Sequence, residues 1–259
     1  MSKDDLGDRM KIYEATTTST IFDKNLPVYA RIDGRSFSKL TRNCMKPFDH
    51  DISNAMLATT IELVEATGAF VGYTQSDEIS LGYLAPNPES EIFFGGKMHK
   101  LISVLASMTT SYFTTHVQRV LADKQPTFDA RAFQLPNTTE LVNAFLWRIF
   151  DCHRNAIQGL GQAHFSHREL QGLSNREVER LLNTVGIDAS DYPFPFLYGS
   201  LVVRQPIEYL REDGTTYIRK QAMVVSSPLL SQFEHLSEFM LTHNSGIKLP
   251  ESADSGTFS

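Results

Sequence analysis

The chain has 259 residues, 41% of them hydrophobic and 21% charged, with a formal net charge of −6. That is enough apolar material to bury the core of one large domain or of one domain with an elaboration, and the acidic balance excludes a protein that coats nucleic acid through its overall charge. No apolar run approaches the roughly 18 residues of a membrane span, the first 14 residues carry no signal-like hydrophobic segment, and Cys44 and Cys152 lack the spacing of a disulfide framework or zinc site; the expected location is the cytoplasm.

In chain order, residues 26–33 (LPVYARID) form a β-rich run ending on an acid, Asp33. Gly34 follows, then GRSFSKLTR, where Phe37 and Leu40 stand at i, i+3 spacing, so the first motif sits at a strand-to-helix junction. Between Arg31 and Lys46 five basic residues (Arg31, Arg35, Lys39, Arg42, Lys46) oppose Asp33 alone, which fits either a solvated helix face or an anion-binding patch. Apolar positions Ile52, Met56, Ile61 and Val64 predict an amphipathic helix from Asp51 to Gly68, and two β-rich runs around Gln75-Ser76-Asp77 predict a hairpin. A long helix is expected over 97–124, with a stripe through Leu101, Leu105, Met108 and Tyr112, followed by a short strand at 129–136. A second long helix should enter at Thr138 or Thr139 and stop at Gly159 and Gly161.

The order strand, helix, hairpin, helix, strand, helix predicts an α+β fold: a split βαβ, antiparallel sheet with helices layered on one face. After Gly161 the pattern changes. Ser174-Asn175-Arg176-Glu177 is a capping box for a helix to about Val185, and residues 198–227 are a strand pair turning at Asp213-Gly214. The expected division is a catalytic unit over 1–162, an appended helix-and-hairpin arm over 163–245 and a polar, frayed tail over 246–259.

Asp33 and Asp77 lie at the end of one strand and in the tip of a hairpin. Two carboxylates from neighbouring strands are what a pair of hard divalent cations needs when substrate phosphates supply the remaining oxygens. Gly34 would let the backbone approach the ions and a triphosphate held on the N–H groups of Gly34, Arg35, Ser36 and Phe37. Asp-Gly is also the commonest turn dipeptide, so the residues alone leave both readings open. Glu78, next to Asp77, should point to the opposite face and act behind the site or structurally.

Six segments, RIDGRSFSKL (31–40), KPFD (46–49), GYTQSDEISL (72–81), KLISVLAS (100–107), FDARAFQLP (128–136) and WRIFDCHRNAI (147–157), stand in the order and spacing of the tRNA-histidine guanylyltransferase superfamily. The chain resembles that superfamily from about Leu6 to Arg204, most of all its bacterial members, the guanylyltransferase-like 3′-to-5′ RNA polymerases. The resemblance implies a polymerase-palm-like catalytic domain in which Asp33 and Asp77, with the Gly34 carbonyl, bind two Mg²⁺. It implies that Lys46 and Ser76 act in activating the 5′-monophosphate of a tRNA with ATP, that Asp49 lies in a base pocket, and that His153 and Asn155 lie near a triphosphate. GTP or another nucleoside triphosphate is then the added nucleotide, and a homotetramer, a dimer of dimers, is the expected assembly. Eukaryotic members carry His-Ile-Asn-Asn where this chain has His153-Arg154-Asn155-Ala156, a histidine at Ser38, and a lysine where Val178 stands, with Arg176 and Arg180 as substitutes. These departures imply templated repair of 5′-truncated tRNA over non-templated addition of one guanosine.

Overall fold

The computed structural model describes residues 3–225 apart from residues 86, 88, 119, 120, 122, 123 and 212, so the tail expected over 246–259 lies outside the described residues. The elements in order are α1 (Lys3–Thr18), β1 (Val28–Gly34), α2 (Phe37–Leu40), α3 (His50–Thr67), β2 (Val71–Gln75), β3 (Glu78–Tyr83), α4 (Met98–Val117), β4 (Phe128–Gln134), α5 (Thr138–His164), α6 (His167–Leu170), α7 (Asn175–Thr184), α8 (Phe194–Tyr198), β5 (Ser200–Leu210) and β6 (Thr216–Val225). Among the described residues no helix is long and apolar enough to cross a membrane.

The strands form one sheet in the order β4-β1-β3-β2-β5-β6, every neighbour antiparallel. Period-2 alternation sends Val28, Ala30 and Ile32 of β1 with Ile79 and Leu81 of β3 to one face, where α3 and α4 cover them through Leu63, Val64, Leu101, Leu105 and Phe113. The opposite face is covered as well. Tyr29, Val71, Tyr73, Leu201 and Val203 pack there against Leu141, Phe145 and Ile149 of α5. Helices therefore lie on both faces of the sheet, where the sequence predicts one, because the intervening strand positions are apolar too and need a second cover.

Three boundaries have local causes. Asp49 caps α3, its Oδ1 accepting from the amides of Asp51 and Ile52 at 3.1 Å each, and Gly68 ends the helix at φ 72°. Ser174 and Glu177 form the capping box of α7. Gly159 and Gly161 do not stop α5, which runs on to His164. A Cβ at residue 161 would lie 2.8 Å from Val178 Cγ1 and 3.1 Å from Leu170 Cδ2, so this glycine is a close-packing position between α5, α6 and α7. There Ile157, Leu160, Val178 and Leu182 make a third, smaller core.

The C-terminal hairpin is continuous with the sheet. β5 pairs with β2 from Ser200 to Val203 opposite Val71 to Thr74, and beyond Arg204 it pairs with β6 alone. At the other end of the chain, α1 is exposed along almost its whole length, a helix that its sequence does not announce because it has no apolar stripe at helical spacing.

Candidate active site

The antiparallel register of β1 and β3 sets Asp33 opposite Glu78, with Asp129 of β4 on the other side of Asp33. β2 and β3 are joined by two residues, Ser76 and Asp77, and Ser76 takes a left-handed φ of 48°. The turn folds Asp77 back over the end of β1. The Gly34 amide donates to the Asp77 carbonyl at 3.1 Å. A Cβ at residue 34 would stand 2.6 Å from Phe37 Cδ2, 3.0 Å from Asp77 Cβ and 3.1 Å from Asp77 Oδ2, so only glycine admits this approach. Phe37 is anchored from below by the rings of Phe113 and Phe128, at centroid distances of 5.6 and 6.2 Å.

Burial, and then the charge of Asp33, push the Asp77 carboxyl up to about 6, against hydrogen bonds that include the Ser76 hydroxyl donating to Oδ1 at 3.2 Å. Among the described residues neither Asp33 nor Asp77 has a lysine or arginine partner, and no three His, Cys, Asp or Glu side chains gather at one point. Two repelling, unneutralised carboxylates in a partly buried corner are a donor set suited to a hard cation, provided main-chain and substrate oxygens complete its shell.

A cavity of about 230 Å³ opens beside this corner, and Lys46, Asp49, Ser76, Gln75, Asn155 and Phe196 are among the residues that line it. Lys46 is exposed, as are Arg35, Lys39 and Arg42. Asp49 lines the cavity but is engaged on both oxygens, since Oδ2 also accepts from the Met45 amide at 2.9 Å. Of the four amides expected to hold a triphosphate, two are used internally: Gly34 donates to Asp77 and Arg35 to the Thr127 carbonyl at 2.9 Å. That leaves the amides of Ser36 and Phe37. Cys44 and Cys152 also line the cavity, and burial pushes both thiols up, away from thiolate character.

Other positions stand apart from it. His153 is one residue from cavity-lining Cys152 yet stacks flat on Tyr198, with ring centroids 4.9 Å apart and planes 1° from parallel, and its Nε2 lies 4.0 Å from Glu179 Oε1. Val178 is fully buried in the third core, so no cation could be carried there; Arg176 and Arg180 are exposed on the same helix. Glu78, expected on the opposite face, is the register partner of Asp33 and shares its face, and its carboxylate is taken up in a buried ion pair. Its carboxylate takes both Nε and Nη2 of Arg148, at 2.6 and 2.8 Å, and Arg148 Nη2 also donates to Asp151 at 2.8 Å.

Sequence reasoning passes over Arg148, Asp151 and Trp147, which lie inside the quoted helix segment. The available signal is helical spacing: Arg148 and Asp151 are i, i+3 on a face whose neighbours, Phe145, Ile149 and Cys152, are buried. A buried guanidinium has more donors than one carboxylate satisfies, and Glu78 of β3 supplies the further acceptors.

Comparison with known proteins gives a concordant result. The family model described as tRNAHis guanylyltransferase (Thg1) matches residues 7–136. An uncharacterized protein of Acanthamoeba polyphaga mimivirus is 31% identical over 78% of this chain and 78% of its own, and a tRNA(His) guanylyltransferase of Neurospora crassa is 28% identical over 83% and 78%. A bacterial tRNA(His) guanylyltransferase-like protein, solved in complex with ATP, superposes with a TM-score of 0.80 at 30% identity, covering 91% of this chain and 98% of that one. Asp33, Gly34, Lys46, Ser76 and Asp77 all fall within the matched half of the sequence, and the chain belongs to the tRNAHis guanylyltransferase (Thg1) family of nucleotidyltransferases.

Proposed function

We propose that this chain is a metal-dependent 3′-to-5′ nucleotidyltransferase that restores 5′-truncated tRNA by templated addition. The observation that carries the reading is the corner itself: Asp33 and Asp77, held together by the Gly34 contact, next in sequence to Ser76, which with Lys46 and Asn155 lines the neighbouring cavity. The strand order β4-β1-β3-β2 with α3 and α4 on one face supports a palm-like catalytic unit, to which residues beyond 162 add helices and a hairpin.

Asp33, Asp77 and the Gly34 carbonyl would hold two Mg²⁺, whose chemistry is to lower the pKa of an attacking hydroxyl and to neutralise charge on a departing phosphate. Lys46 supplies a mobile point charge to the triphosphate of ATP, joined by the amides of Ser36 and Phe37 and by Arg35. Ser76 holds Asp77 in place through its hydroxyl and presents its own oxygen to the cavity. In the first reaction a 5′-phosphate oxygen displaces pyrophosphate from ATP, forming an adenylylated end. In the second, the 3′-hydroxyl of a nucleoside triphosphate such as GTP attacks that 5′ phosphorus, its proton is lost, and AMP leaves. No side-chain nucleophile takes part, consistent with the raised thiols. Asn155, which lines the cavity, would contact nucleotide there, while His153 would act through Tyr198.

An acidic chain must gather its basic groups to bind RNA. The proposed homotetramer, a dimer of dimers, would bring exposed Arg35, Lys39, Arg42 and Lys46 from different subunits to one tRNA. A strictly monomeric protein that extends tRNA at full rate would refute that assembly.

The names of the relatives, tRNA(His) guanylyltransferase, favour a second reading, guanosine addition to tRNA(His), which here would be one residue added without template. Labelled nucleotide, ATP and Mg²⁺ are supplied with 5′-monophosphorylated tRNA lacking its first residue, using wild type and Asp77→Ala. Incorporation only of nucleotides that pair with the opposite strand, abolished in Asp77→Ala, is the expected result. Guanosine added to tRNA(His) regardless of pairing establishes the second reading, and activity retained in Asp77→Ala removes the metal site.

A further inference from the structure

Trp147 is the only tryptophan of the chain, and its side chain stands on α5 with half of its surface open to solvent. Beneath the ring are two guanidinium groups, Arg31 with Cζ 5.3 Å and Arg148 with Cζ 4.7 Å from the ring centroid. Both converge on Glu78, with nitrogen-to-oxygen distances of 3.8 and 2.6 Å, and both are largely buried. Both are anchored to buried Glu78, so the half of the tryptophan's surface that is open to solvent is not the part these groups cover. The position is close to the carboxylate corner. Arg31 precedes Asp33 by two residues on the same face of β1, about 7 Å along the strand, and Glu78 directly follows Asp77.

The surroundings are suited to a polyanion. Within the ion-pair cluster Arg31, Arg148 and Arg154 stand against Glu78 and Asp151, one positive charge in excess, with the corner carboxylates Asp33 and Asp77 beyond it. An aromatic face is the group that binds a nucleobase without regard to its identity, since every base presents a π-face. The guanidinium groups hold the ring in place, so little freedom is lost when a base stacks on it.

We infer that the outer face of Trp147 is the stacking platform for the terminal base at the RNA 5′ end whose phosphate is brought to Asp33 and Asp77. This rests on the nucleotidyltransferase reading of that corner and adds to it a specific RNA contact outside the nucleotide cavity, of which Trp147 is not a lining residue. A platform indifferent to base identity suits an enzyme that takes its sequence information from the opposite strand.

The single tryptophan makes the test direct. Titration of 5′-monophosphorylated tRNA into the full-length protein should quench the indole emission, saturating together with RNA binding measured by filter retention, while ATP or GTP alone leaves it unchanged. Quenching by nucleotide alone, RNA binding without quenching, or an emission change on simple dilution that assigns the face to a second copy would each overturn the platform. Two variants separate stacking from mere cover. Trp147→Leu keeps an apolar lid over the ion pairs but cannot stack, and should raise the KM for RNA roughly 5- to 100-fold with the KM for ATP changed by less than about twofold. Trp147→Phe should recover most of that loss. Equal losses in both variants, or a lowered melting temperature with unchanged KM for RNA, assign Trp147 to packing and overturn the proposal. Wild-type protein that extends RNA without quenching refutes the platform alone; protein that neither binds nor extends RNA refutes the underlying function as well.

Discussion

Asp77 carries the strongest electrostatic tension in the candidate site, and it has a pH signature. Its carboxyl sits near 6 in the folded protein against an ordinary value of 3.8, so the folded chain holds this proton more tightly than the unfolded chain does. Without bound cation, the associated stability is complete below about pH 4 and declines as pH rises through about 6, by up to about 3 kcal/mol. Asp77→Asn should remove that decline, melting higher than wild type at pH 7 in the absence of Mg²⁺ while losing activity; thermal melts from pH 4 to 8 with and without Mg²⁺ check both. Saturating Mg²⁺ should raise the wild-type melting temperature above pH 6 and leave Asp77→Asn nearly unchanged. Gly34→Ala forces the added methyl against Phe37 and Asp77, at 2.6 and 3.0 Å. An overpacked site of this kind costs about 1–3 kcal/mol, and displacement of Asp77 should lower kcat on the order of 100-fold, measured by single-turnover extension.

At the scale of elements, the ion pair between Glu78 and Arg148 ties α5 to the strand that leaves the Asp77 turn. Arg148→Met leaves the buried Glu78 carboxylate with only the longer 3.8 Å contact to Arg31, at a cost of up to about 3–5 kcal/mol. The double variant Glu78→Gln, Arg148→Met should lose clearly less than the sum of the singles, and urea unfolding of the four proteins gives the coupling. The sequence made much of this level legible. Strand β1, the β2–β3 turn, the Gly68 end of α3 and the capping box of α7 were recoverable because each is set by residues close to one another in sequence, whereas Asp49, read as a pocket residue, is the cap of α3. The full length of α5 was not, since the role of Gly161 depends on Leu170 and Val178, which reach it only in the folded chain. The expectation of a triphosphate on four consecutive amides overlooked Thr127, whose carbonyl takes the Arg35 amide from far along the chain. Strand alternation from Asp77 sends Glu78 to the opposite face, but its register partner is Asp33 and its ion-pair partner Arg148 lies 70 positions away, neither of which local sequence shows.

For the whole molecule, the feature local signals conceal most is the route of the C-terminal hairpin. Leu201, Val202 and Val203 would look the same in a detached arm as in the sheet, and only the pairing with β2 distinguishes the two. Two regimes of protection follow along a single strand. Amides of β5 between Leu201 and Val203 should exchange with solvent only through global unfolding, whereas those near Tyr209 and Leu210, held by β6 alone, should exchange orders of magnitude faster; native-state hydrogen exchange resolved by residue measures this. The two hairpins of the sheet also differ in what they leave open to evolution. The two-residue turn at Ser76 and Asp77 sets the register that brings one carboxylate over the other strand's end, so a single inserted residue would send side chains to the wrong face. The turn beyond Leu210 joins strands that, among the described residues, pair only with each other at that end, and its length is free to vary. Lineages descended from this chain should therefore keep the first loop invariant in length while the second lengthens, shortens or acquires new sequence, so that fresh RNA-recognition surfaces arise at the end of the hairpin without disturbing the chemistry.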